Sequence, residues 1–176
     1  MPSLSPTRIA ADVRRGAAAG SSAERGQCLE DLITYVLSRV PGLRFSDSRV
    51  RTTDGSEEVD VVFWNDKMPG GFPFADHVLL IECKNWNSRV GSDELHHFDG
   101  KLHQRHLRIG LLVAALGVTG DETGRAATAL IERYYVVDSV TIVVITHDDL
   151  RSLRSTDALV RLVQDRISKI VLQAAG

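Results

Sequence analysis

The stretch Val78-Leu79-Leu80-Ile81-Glu82-Cys83-Lys84-Asn85-Trp86 is an apolar run that stops on an acid and a base one residue apart. Side chains of a strand alternate between its two faces, so Glu82 and Lys84 share a face and Cys83 points to the other. Burying either charge is costly unless something compensates it. A metal ion together with an anionic substrate would compensate both.

An acid waits in the segment upstream. Glu58 to Trp64 is rich in strand formers (Val59, Val61, Val62, Phe63, Trp64) and holds Asp60 among them. Leu43 to Arg51 is expected as a preceding strand, with Asp54-Gly55 as the hairpin turn between the two. If the Asp60 and Glu82 strands pair, the two carboxylates lie across from each other, with Lys84 one step along the same face. Neighbouring carboxylates repel, so one takes up a proton unless a cation sits between them. All-oxygen ligation suits Mg²⁺, or Mn²⁺ in its place, rather than zinc. Such an ion polarises a phosphoryl oxygen and lowers the pKa of a bound water. Lys84 would orient that water or stabilise charge on the phosphate. Asp60, Glu82 and Lys84 thus supply what hydrolysis of a phosphodiester requires.

The remaining pattern places these strands in a sheet. Leu29, Leu32, Ile33, Val36 and Leu37 recur at helical spacing over Ala23 to Arg39, and Pro41-Gly42 ends the helix. Asn65 to Ala75 holds Pro69, Gly70, Gly71 and Pro73 and reads as a loop. A helix is expected from Ser92, as N-cap, to about His106, with Asp93 and Glu94 in its favourable first turn. Ile109 to Leu116 is continuously apolar, as in a central strand covered on both faces. A helix over Asp121 to Tyr134, a strand over Val140 to Ile145 and an amphipathic helix over Thr156 to Leu172 follow. The order is αβββαβαβ plus a C-terminal helix, an α/β sandwich with a central mixed β-sheet flanked by helices. Residues 1–22 read as a flexible N-terminal tail with at most a short helical piece, and 23–176 as one domain.

Composition is that of a soluble globular chain, 43% hydrophobic and 25% charged over 176 residues. No apolar run approaches the roughly 20 residues that cross a bilayer, and no signal-peptide pattern is visible, so a cytoplasmic location without membrane contact is expected. Cys28 and Cys83 read as reduced core residues. The net charge of −2 argues against a general polyanion coat. Local clusters such as Arg49/Arg51 and Lys101/His103/Arg105/His106/Arg108 could still form a basic patch.

Asp60 followed by Glu82-Cys83-Lys84 resembles the PD-(D/E)XK nuclease superfamily. Gly26-Gln27-Cys28-Leu29-Glu30 is similar to the Gly-x-x-Phe-Glu helix start of Mrr-type restriction endonucleases. The resemblance spans about Ala23 to Leu150. Departures are the missing proline before the aspartate, Leu29 in place of the aromatic, and the long Pro/Gly loop between the motif strands. It implies a restriction-endonuclease-like three-layer sandwich and a Mg²⁺-dependent endonuclease acting on DNA, in restriction or defence against foreign DNA. It also implies Glu30 as a further metal ligand beside Asp60 and Glu82. No target-recognition or motor domain is recognisable, so the chain would cut with little sequence preference or depend on an oligomer or a separate specificity or motor subunit, and a homodimer would let two sites act on two strands.

Four histidines (His96, His97, His103, His106) crowd the helix after the Lys84 strand, without a His-x-x-x-His pair. His97, Lys101, Gln104 and Arg108 fall on one stripe. The related fold places this helix beside the cleft, so His97, Lys101 and Gln104, with Asn85 at the strand end, are candidate nucleic-acid contacts. Two other readings stay open: a non-catalytic nucleic-acid-binding or assembly subunit on the same fold, and a structure-specific (junction or repair) nuclease.

Overall fold

A computed structural model describes residues 3–51, 58–120 and 127–174. Two helices come first, α1 (Pro6–Ala18) and α2 (Ser22–Leu37). Strands β1 (Leu43–Arg51), β2 (Glu58–Asn65) and β3 (Val78–Lys84) lead to helix α3 (Ser92–Gln104), then β4 (Ile109–Ala114) and α4 (Ala127–Asp138). The chain continues with β5 (Thr141–Ile145), α5 (His147–Ser152) and α6 (Thr156–Gln173). The Asp54-Gly55 turn and the start of the helix expected from Asp121 lie outside the described residues.

The five strands form one sheet in the order β1-β2-β3-β4-β5. The β1–β2 and β2–β3 pairs are antiparallel, and β3–β4 and β4–β5 are parallel. Each parallel pair is bridged by a crossover helix, α3 and α4 respectively, as parallel pairing requires. Those two helices cover one face through Leu95, Phe98, Leu102, Ile131 and Tyr134. On the other face α1, α2, α5 and α6 pack over Val61, Phe63, Ile81, Cys83, Val113 and Val143. The result is the expected three-layer α/β sandwich. Gly110 lets α3 lie close to β4, since a Cβ there would come within 2.7 Å of Phe98 and Leu102.

Local chemistry explains the element ends. Ser21 and Glu24 form a reciprocal capping box at the start of α2. In the Pro/Gly loop, the buried Asn65 amide donates to the carbonyls of Phe72 and Asp76 at 2.8 and 3.0 Å. Those bonds tie the loop down, and β2 and β3 pair in register from Val61↔Ile81 to Trp64↔Val78.

Three expectations need correction. Of the expected tail, the described residues 3–22 pack on the domain, because Ser5 caps α1 and Leu4, Ile9 and Val13 are buried in the core. With only these few large apolar residues among Arg, Ser and Ala, the segment's composition hides its one packed stripe. Gly91, not Ser92, occupies the N-cap of α3, without a side-chain cap bond. Helix α5 was not anticipated, since its six residues are too few for a readable period, although Thr146 and Asp149 form a capping box there.

If α1 belongs to the core, Ile9→Ala should destabilise the chain by about 2–5 kcal/mol. Urea denaturation measures this, and a loss below about 0.5 kcal/mol, typical of a surface change, would return α1 to the status of a tail.

Candidate active site

Strand β3 stays in ladder with β4 to its last residue, Lys84↔Ala114. Its pairing with β2 ends earlier, at Val61↔Ile81, although both strands continue. Beyond that point the Asp60 side chain takes over, with Oδ2 accepting the Cys83 backbone N–H at 2.7 Å. The sheet forks here, and the candidate site occupies the fork.

Glu82 follows directly from the paired Ile81 and is 5% exposed. Lys84 Nζ lies 2.9 Å from Glu82 Oε1, and Lys101 Nζ, from α3, lies 2.8 Å from Oε2. Trp86 stands against Lys84 with its ring centre 5.4 Å from Nζ. Alternation is as expected: Glu82 and Lys84 face α3, and Cys83 is buried in the core on the α2 side.

The electrostatics follow from this crowding. Burial, then the charge of Glu82, pushes Asp60 up to about 6, although the Cys83 N–H and Lys84 oppose the rise. Burial works against the Lys84 ammonium, but Glu82 and Asp60 outweigh it and hold the group above its ordinary value. Burial, followed by the charges of Asp60, Glu30 and Glu82, drives the Cys83 thiol well above its usual range, so it stays a neutral core residue.

The other expected residues divide. Glu30 is buried on α2 and its charge reaches Asp60, but its side chain pairs with Arg49 Nε at 3.3 Å. Arg49, whose φ of 53° is unusual for a strand, also donates to Gln27. Among the described residues no three acidic, His or Cys side chains converge in metal-ligating geometry, so Glu30 does not join Asp60 and Glu82 as placed. Asn85 turns away from the fork and donates to the Arg25 carbonyl at 2.8 Å, tying the strand end to α2. His97 and Gln104 are exposed on α3, as a nucleic-acid contact requires. Lys101, on the same stripe, turns inward onto Glu82 instead. The readable signal was its place beside the buried Phe98 and Leu102 rather than on the far side of the helix. His96 partners Tyr134, with Nδ1 2.6 Å from the hydroxyl oxygen.

The donor set fits a hard divalent cation. Mg²⁺ is commonly held by one or two carboxylates, with water and substrate phosphate completing its octahedron. Asp60 and Glu82 supply two; burial is the larger cause of the rise in Asp60, and the remainder, from the Glu82 charge, is repulsion that a cation between them would relieve.

Fold and fork together define a nuclease of the PD-(D/E)XK class: a mixed sheet with helices on both faces, carrying an Asp and a Glu-x-Lys on adjacent strands. A family model described as "Restriction endonuclease", for the Mrr-type catalytic domain, matches residues 23–153. The chain belongs to this restriction endonuclease family. A search of curated proteins found no match.

The Asp60 value predicts a pH effect on stability. The folded chain titrates Asp60 near 6 and an unfolded one near 3.8, so the folded state is the better proton binder between those values. The contribution is fully present below about pH 4 and is lost as pH rises through about 6, amounting to about 3 kcal/mol at most. In chelator, Asp60→Asn should therefore be more stable than wild type at pH 8, by about 1–3 kcal/mol, with the gap closing near pH 4. Denaturant titrations at the two pH values test this; a gap independent of pH would contradict the raised value.

Proposed function

We propose that this chain is a divalent-metal-dependent endodeoxyribonuclease that acts in the cytoplasm, in restriction or defence against foreign DNA. The observation that carries the reading is the placement of Asp60, Glu82 and Lys84 in one fork at the end of an otherwise apolar strand. Asp60 and Glu82 would hold Mg²⁺ or Mn²⁺. When bound, the ion supplies a Lewis acid for a phosphoryl oxygen and an acidified water.

The chain's own residues then have distinct tasks. Lys84 is held in its protonated form by Glu82 and Asp60, so it serves as a donor and charge stabiliser rather than as the base that removes a proton. Its N–H groups can orient the attacking water or neutralise charge gathering on the phosphate. Glu82 fixes Lys84 through the 2.9 Å contact. Trp86 limits solvent on one side of the ammonium. His97 and Gln104 supply exposed polar groups for the DNA backbone. Because the chain is slightly acidic overall, DNA binding must rest on local contacts of this kind. Sequence specificity would come from a second copy or from a separate specificity or motor subunit.

One observation favours a second reading, a non-catalytic DNA-binding subunit: both Glu82 oxygens already hold ammonium groups. A junction or repair nuclease would share the chemistry, and a panel of duplex and branched substrates separates it.

Purified protein with supercoiled plasmid and Mg²⁺ or Mn²⁺ should nick or linearise it. Asp60→Ala, Glu82→Ala and Lys84→Ala should each lower the rate by about 10²-fold or more. Equal cutting by wild type and variants would reveal a contaminant. No cutting, no Mn²⁺-induced rise in melting temperature and DNA binding that survives Asp60→Ala would establish the binding subunit.

A further inference from the structure

Lys101 stands outside the Asp60…Glu82-x-Lys84 pattern, yet it touches the centre of the site more deeply than Lys84 does. Its side chain is 12% exposed against 22% for Lys84, and the Glu82 side chain between them is 6% exposed. Charges so withdrawn from water are screened weakly. One ammonium would balance Glu82. The second is in excess of that balance and adds positive charge beside Asp60, whose carboxylate has the Cys83 N–H for a donor. Among Asp60, Glu82, Lys84 and Lys101, two carboxylates therefore stand with two ammoniums before any cation enters.

We propose that Lys101 is a positioning residue that acts as a built-in counter-cation: it fixes the Glu82 carboxylate and sets how tightly the fork binds a divalent cation. The inference rests on the metal-dependent reading above. A cation between Asp60 and Glu82 must share a Glu82 oxygen with an ammonium, because both oxygens already carry one. It also brings two positive charges up to two others. The helix that bears Lys101 lies close to the sheet: Phe98 and Leu102 flank Lys101 on α3, and a Cβ at Gly110 would come within 2.7 Å of both side chains. The Lys101 carbonyl is in turn held by Arg105 at 2.9 Å. With its side chain 12% exposed and its ammonium on Glu82, Lys101 sets a positive charge against which the cation binds.

Mn²⁺ titration calorimetry on the full chain tests this. Lys101→Met and Lys101→Gln remove the charge and should tighten Mn²⁺ binding by about tenfold or more. Lys101→Arg keeps the charge and should stay within about threefold of wild type. In chelator the two neutral variants should melt lower than wild type and the Arg variant should not. A residue that merely supports the fold could lower the melting temperature but would not raise cation affinity. Unchanged or weakened binding in a folded neutral variant overturns the inference while leaving the metal-dependent reading intact, provided Asp60→Asn abolishes wild-type binding. Mn²⁺ binding by a neutral variant alone supports it. Binding by neither wild type nor neutral variants removes the cation site, and this inference with it.

Discussion

The structure depends on the place where β2 stops pairing with β3. Up to Val61↔Ile81 the strands exchange backbone hydrogen bonds; two residues further along β3 the Cys83 N–H is taken by the Asp60 carboxylate. An unpaired backbone donor at this depth would cost on the order of 1–3 kcal/mol, so the side chain is a structural necessity as well as a chemical group. The same bond aims Asp60 at the end of β3. Because β3 remains bonded to β4 through Lys84↔Ala114, Glu82 and Lys84 are held on a rigid edge of the fork. One backbone substitution thereby creates the gap, fills it with an acid and fixes the facing acid.

The charges in the fork contribute little to holding the fold together. A buried ion pair seldom outperforms apolar packing of the same volume, because desolvation offsets most of the Coulomb gain. Leu80, Ile81 and Leu112 show that an apolar solution was open to the same strands. Glu82 at 5% exposure, clasped by Lys84 and Lys101, is therefore hard to explain by stability alone. The raised Asp60 points the same way, since a fold selected only for stability would not bury one carboxylate beside another.

Much of this was legible in the sequence because β-strands carry their signal locally. The run ending in Glu82-Cys83-Lys84 gave strand, face and charge together, and Val59 to Trp64 gave its neighbour. The juxtaposition of Asp60 and Glu82 needed only antiparallel pairing in the register that the tied-down loop permits. What stayed hidden was set by tertiary packing. Lys101 looked like a member of a solvent-facing stripe, and only the approach of α3 to Gly110 brings it onto Glu82. Glu30 reads as a ligand through the resemblance, and the structure pairs it with Arg49 from β1. Asn85 reads as a substrate contact, and the structure has its amide donating to the Arg25 carbonyl of α2.

Asn85 also connects the site to a part of the chain outside the matched family region. Gly16 of α1 packs so closely on Asn85 that a Cβ there would lie 2.8 Å from its amide nitrogen. Asn85 in turn holds α2 at Arg25, and α2 carries Glu30, whose charge reaches Asp60. Residues 23–153 contain the fork, but the residue after Lys84 is wedged between two helices, one of which lies before that region. The residue that follows Lys84 is thus seated against α1 as well as α2, so the end of the strand that bears the ammonium is packed by a segment outside the matched region.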